Sequence, residues 1–176
     1  DVAGAVVINN ANDTVTTARN TTTGGTLTFA RLVDDTSNAL TVEADDSTTA
    51  SQGATTFVAI TANNEETMTL TSGSNAAEVL TITTLTGTDL TSLTLTGTAN
   101  VVVTNAVASA TLLATVDTTG LTGSGEVHAT SVSTVDMTMT AGNGGAEFTG
   151  GNGDDTITGG TGVDILIGGS GADTIS

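Results

Sequence analysis

An all-β fold, a parallel β-solenoid, is what this sequence predicts, and three observations predict it. Residues 150–176 are three consecutive nonapeptides, GGNGDDTIT, GGTGVDILI and GGSGADTIS. Upstream of them, apolar residues alternate with Thr at period two, the pattern of half-buried strands. No segment carries a helical period of useful length; the best candidate, residues 75–80, is short and runs straight into a strand pattern.

The strands read in order. Thr26–Phe29, Leu40–Glu43, Phe57–Ile60, Thr67–Leu70, Leu80–Thr83, Leu93–Thr96 and Met137–Thr140 all alternate. Small polar clusters such as 71–75 and 123–125 separate them as turns. Residues 1–25 are less patterned: Val6-Val7-Ile8 suits a first strand, and the Thr-rich run through Gly24-Gly25 suits a loop. In the middle of the chain Leu93-Thr94-Leu95, Ala114-Thr115-Val116 and Val135-Asp136-Met137 recur at one spacing. Each is followed by a second apolar stretch, at Val101–Val103, Val127 and Phe148. We read two-strand rungs of about twenty residues that tighten into the shorter rung of the nonapeptide run. Two regions result, a Thr-rich strand-repeat region at 1–140 and a nonapeptide roll at 141–176. A β-sandwich is the rival for the N-terminal half, because strands at this spacing suit it too.

Composition supports thin layers. The 176 residues include 22 Gly and no Pro, Cys, Trp or Tyr. With aromatics at 2%, the core falls to Val, Ile, Leu and Ala. Roughly a quarter of the residues are Thr, which fits a pleated, half-exposed surface. The net charge is −17, from 19 acids against Arg19 and Arg31. Such a chain repels nucleic acid and anionic membranes. No run approaches the roughly 18 apolar residues of a membrane span. Without Cys there are no disulfide staples, and metal ions are the available substitute. The chain starts at Asp1 with no export leader, which reads as a processed or excerpted piece.

Each position of the nonapeptide has a mechanical job. The glycines permit a tight turn, the Asp at position six turns a carboxylate toward the turn carbonyls, and the apolar residue at position eight (Ile157, Leu166, Ile175) enters a strand. AGNGGAEFT at 141–149 is a decayed fourth copy that keeps Gly142, Gly144 and Phe148 but has Ala146 in place of Asp. The pattern resembles the calcium-binding β-roll repeat of RTX proteins. Calcium takes six to eight oxygens at about 2.3–2.6 Å. One turn offers a carboxylate and two carbonyls, so two stacked turns are needed to close the shell.

The resemblance implies a best site between the repeats at 150 and 168, from Gly151, Gly153 and Asp155 with Gly168, Ser170 and Asp173. It implies a second between the repeats at 141 and 159, from Gly142, Gly144, Gly159, Thr161 and Asp164, weakened by Ala146. Gly160, Gly162 and Asp164 would face a repeat starting beyond residue 176, so the coil reads as truncated or as continued by another chain. Without calcium, self-repulsion favours disorder in the last 35 residues or so. The plainer reading of Asp155, Asp164 and Asp173 is turn capping. Asp34-Asp35, Asp45-Asp46 and Glu65-Glu66 read as solvated turns.

Other motifs are weak. His128, the one histidine, stands beside Glu126 on an outer strand face, and a zinc site needs more ligands. One His and no Cys leave no nucleophilic triad, and no aromatic platform exists to hold a sugar, so no enzyme is expected here. Asn12-Asp13-Thr14 and Asn20-Thr21-Thr22 fit a glycosylation sequon, a pattern common by chance in a Thr-rich chain. The Thr-x-Thr strands invite an ice-binding face, which needs Thr pairs stacked at constant spacing. Rungs of varying length and the interruption Thr115-Val116-Asp117 argue against it.

Residues 91–97 (TSLTLTG), 66–72 (ETMTLTS) and 112–117 (LLATVD) look like the strand repeats of bacterial RTX-type surface-layer proteins. That resemblance implies a chain exported unfolded by a type I system and folded outside the cell by calcium. It also implies assembly into a two-dimensional lattice on the cell surface, with a surface polysaccharide as anchor. Neither nucleic-acid binding nor membrane insertion is expected. Two alternatives stay open: a calcium-folded adhesin or biofilm module, and the C-terminal secretion and folding module of a secreted enzyme.

Overall fold

The computed structural model describes residues 5–9, 16–18, 25–30, 38–44, 55–73, 79–106, 111–128 and 133–176. The sequons at Asn12 and Asn20, both arginines, and the acidic pairs at 34–35 and 45–46 lie outside the described residues. Among the described residues there is no helix.

Odd-numbered strands form one sheet: β1 (Ala5–Asn9), β3 (Gly25–Ala30), β5 (Thr55–Ala62), β7 (Val79–Thr86), β9 (Asn100–Ala106), β11 (Gly125–His128), β13 (Ala146–Thr149) and β15 (Ile165–Ile167). Even-numbered strands form the other: β2 (Thr16–Ala18), β4 (Ala39–Ala44), β6 (Thr67–Ser72), β8 (Ser92–Gly97), β10 (Thr115–Leu121), β12 (Thr138–Thr140), β14 (Thr156–Thr158) and β16 (Thr174–Ile175). Each strand pairs in parallel with the strand two further along, from β1·β3 to β14·β16. Two strands therefore make one rung. A sandwich of this size is built from antiparallel strands, so the rival fold is excluded and the solenoid extends into the N-terminal half.

The core lies between the sheets, where the alternate residues of each strand meet. From the even sheet come Leu40, Met68, Leu93, Val116, Met139 and Ile157, stacked in register and at most 1% exposed. The odd sheet supplies Phe57, Ile60, Leu80, Ile82, Leu85, Val101, Val103 and Phe148, all within the same cluster. Removing each such side chain from water contributes about 1.5–3 kcal/mol. The pairing corrects the spacing read from the middle repeat: Leu93 lies beside Val116 and Val116 beside Met139, so Ala114 and Met137 are not their partners. The second apolar stretches do correspond, with Val103, Val127 and Phe148 in one ladder. Asp136 sits in a turn and not in a strand.

Rung length varies upstream and becomes constant downstream. Thr71 and Thr96, cross-bonded through their hydroxyls at 3.0 Å, are 25 residues apart. In the nonapeptide region the stacked partners are 18 apart. Most of the surplus is absorbed at the corners; single-residue register shifts occur within strands only locally, as between Asp117 and Gly120 in β10 and at Gly25/Thr26 in the β3·β5 pair. Leu93→Ala should cost about 2–5 kcal/mol in urea melts with calcium present, and Thr94→Ala, on the outward side of the same strand, less than about 0.5 kcal/mol. Equal costs would mean that the interior between the sheets is not the stabilising core.

Candidate metal centre

Two corners connect the sheets, and the nonapeptides form turns at both. The turn at 150–155 lies directly beneath the turn at 168–173. Ser170 N–H donates to the Gly151 carbonyl (3.1 Å), Asp155 N–H to Asp173 Oδ1 (3.0 Å), and Thr174 N–H to the Asp155 carbonyl (2.7 Å). At the opposite corner the turn at 141–145 lies beneath 159–164, with Ala146 N–H donating to Asp164 Oδ1 (2.8 Å). The predicted pairing of repeats is the pairing observed.

The position-six carboxylates have one posture. Oδ1 reaches down to the N–H of the residue 18 earlier: Met137 for Asp155 (2.8 Å), Ala146 for Asp164 (2.8 Å) and Asp155 for Asp173 (3.0 Å). Oδ2 closes the residue's own turn, accepting from Gly151 N–H in the case of Asp155 (2.9 Å) and from Gly160 N–H in that of Asp164 (2.9 Å). Glu66 repeats the device far upstream, with Oε2 accepting from Asn38 N–H at 2.6 Å. Glu65 beside it is 1% exposed, so the 65–66 pair is not a solvated turn.

Gly150 marks where a cation fits. A methyl on its Cα would strike both Asp155 Oδ2 and the Gly168 carbonyl oxygen. A carboxylate oxygen and a carbonyl oxygen from successive turns thus flank one small space, the hard-oxygen donor set that calcium takes. Asp155 is 1% exposed, and no Lys or Arg occurs among the described residues. A buried carboxylate without a cationic side chain is costly, and a divalent ion here removes that cost. Asp155 and the Gly168 carbonyl would hold such an ion, and its charge would offset the repulsion between the stacked acidic turns.

Other named residues surround the same stack. The Gly151 carbonyl meets Ser170, and the Gly153 carbonyl abuts Gly171, whose φ is 134°. Beneath them Gly151 and Gly153 press on the carbonyls of Ser133 and Val135. At the other corner the Gly142 carbonyl abuts Gly160, Gly144 lies under Gly162, and Thr161 Oγ1 donates to Asn143 Oδ1 (3.3 Å). Gly159 and Gly168 each lie against the Oδ2 of their own repeat's Asp, at Asp164 and Asp173.

The 141–149 copy has lost this space twice. Ala146 removes the carboxylate, and Ala141 puts a methyl at position one; both are 6% exposed and belong to the apolar core. The acidic position signals only the first loss in the sequence; the second shows in the fold, where position one lies against the Asp of its own repeat. Gly150 was missed, although the first glycine of every complete repeat signalled it. Sequence reading also missed that residues 133–137 copy the turn without its motif. Asn152 N–H donates to the Ser133 carbonyl (3.2 Å) and Thr156 N–H to the Met137 carbonyl (2.8 Å), with buried Met137 in the place of the Asp.

Gly150→Ala should lower the number of calcium ions bound in isothermal titration, and an unchanged stoichiometry would rule out the Gly150 space as the seat. Asp155→Ala leaves the buried Met137 and Gly151 amides unpaired, at about 1–3 kcal/mol for each group. Its melting temperature in calcium should fall well below that of Asp154→Ala, whose exposed carboxylate accepts a single bond, from Ala172 N–H at 2.8 Å.

Comparison with known proteins agrees with this geometry. Residues 140–175 match the family model of the RTX calcium-binding nonapeptide repeat, in four copies. Neither the characterised proteins nor the solved structures contain a significant match to the chain. The family match covers the four copies including the decayed one, and residues 140–175 are an RTX calcium-binding repeat segment forming the last rungs of a β-solenoid.

Proposed function

We propose that the chain is an extracellular structural protein that folds with calcium and self-assembles into a cell-surface layer or filament. The observation that carries this reading is the Gly150 space, where a buried carboxylate and a carbonyl of the next turn converge at the corner of an unbroken parallel stack. RTX repeats are characteristic of secreted proteins. Low calcium inside a cell would leave the acidic turns apart, and high calcium outside would close them.

Self-association is supported by surface character. Val163 is 91% exposed, and Ile165 and Ile167 are about half exposed on the outward side of β15. Beside them Val102, Ala146, Glu147 and Gly125 line a groove of about 210 Å³. Exposed apolar side chains gathered on one face are typical of protein–protein contact. At −17, copies repel each other until calcium reduces their charge. No catalytic role is assigned to the chain in this reading.

The test is a calcium titration followed by circular dichroism and by light scattering with negative-stain microscopy. β-signal and ordered assemblies should appear together with calcium and vanish with chelator. Folding into a stable monomer would remove the assembly reading and leave the repeat assignment intact.

A further inference from the structure

The corner that holds the Gly150 space recurs upstream, where an odd strand again passes to the next even strand. Residues 63–66 join β5 to β6, and residues 87–91 join β7 to β8 in the rung above. Glu66 stands immediately before β6 as Asp155 stands before β14, and it shares two of that residue's bonds. Its carboxylate reaches down to the Asn38 N–H (2.6 Å), and its carbonyl accepts from Thr91 N–H of the rung above (2.8 Å). The upstream corner repeats part of the frame of the calcium turns without their sequence.

The oxygens of this frame are not all supplied with hydrogen. Glu66 is met as above, and the Asn64 carbonyl accepts from Asn38 Nδ2 (3.1 Å). Asn63 differs. Its Oδ1 is the one buried side-chain polar atom among the described residues that has no hydrogen-bond partner. Its backbone carbonyl lies 2.9 Å from Thr88 Oγ1, and that same hydroxyl lies 3.1 Å from Asp89 Oδ2. A hydroxyl has one hydrogen to give, and a carbonyl or a carboxylate has none. Asn63, Thr88 and Asp89 thus bring four oxygens to one corner with a single hydrogen among them. Buried polar groups in folded proteins are nearly always paired, so one left over calls for a cause.

We propose that this corner is a further calcium site, built by Asn63, Thr88 and Asp89 outside the nonapeptides. Calcium accepts amide and backbone carbonyl oxygens beside carboxylates, and waters complete its six to eight positions. Magnesium demands a nearly ideal octahedron and dehydrates reluctantly, which suits this mixed set less well. Thr88 is exposed and Asp89 half-exposed, whereas Asp155 is buried. Water competes for the ion here, so the site fills at higher calcium than the nonapeptide turns. Ordered water is the rival occupant, and it would leave the corner indifferent to calcium. A cation is favoured because Asp89 adds charge and no Lys or Arg occurs among the described residues. The flanking strands rest on the apolar core, so the ion ties the corner and the sheets persist without it. The site is independent of the assembly reading and of the Gly150 seat.

The test is a calcium titration of the isotope-labelled full chain followed by amide NMR. The amides of Asn64, Thr88 and Asp89 should shift in a step of their own, at higher calcium than the step of Gly151 and Asp155. Asp89→Asn and Thr88→Val should each remove the upstream step and leave the nonapeptide step in place. Neither side chain belongs to the core, and the β8 amides of the same spectra check that the variants fold. Asn63→Asp, which adds charge to the set, should move the upstream step to lower calcium. An upstream corner that does not respond to calcium overturns the proposal, as does a step that survives both Asp89→Asn and Thr88→Val. Loss of the upstream step in Gly150→Ala also overturns it, since the shift would then be relayed along the stack from the nonapeptides. An equal response to magnesium overturns the assignment to calcium.

Discussion

The interaction on which the C-terminal rungs depend is the bond from a position-six carboxylate to the amide of the rung below. Asp155, Asp164 and Asp173 each hold two rungs together through Oδ1, while Oδ2 stays close to the first glycine of the same repeat. The arrangement concentrates negative charge where turns must lie in contact. A hydrophobic interior compensates little in the last rung, where Leu166 is only partly buried and Ile175 is about half exposed. Calcium between the turns would supply what the core does not, neutralising the charge and tying the turns together.

Upstream the balance is reversed. From Leu40 to Met139 the interior is a continuous double column of apolar side chains. Those rungs need no metal to bury their surface. The two regimes meet at residues 133–137, where the turn keeps the backbone bonds of the calcium repeats and fills the carboxylate's position with Met137. That rung is a metal-free template on which the first calcium turn stacks. Both sheets pass through it without a break.

Period-two alternation made the strands legible, and the glycine register made the nonapeptide corners legible, because both are local patterns with fixed geometry. Rung pairing was not. Equal sequence spacing suggested that Leu93, Ala114 and Val135 correspond, whereas the core aligns Leu93, Val116 and Met139. Corner length is free to vary, so spacing along the chain does not determine register; only the burial of one face does. The metal site was legible as to its repeats and incomplete as to its atoms. Acidic residues draw attention, but the space for an ion is made by what is missing at Gly150 and closed by what is present at Ala141. Glu65 was misjudged because a two-acid turn looks solvated until the rung above and the rung below cover it.

Amide hydrogen exchange on the full chain, with calcium and then with chelator, tests the central claim most directly. The account predicts that chelation removes protection from the amides of Ala146, Asp155 and Gly160 while those of β7, β8 and β9 stay protected. Protection of 141–176 that is indifferent to calcium, or loss of protection along the whole solenoid at once, would contradict it.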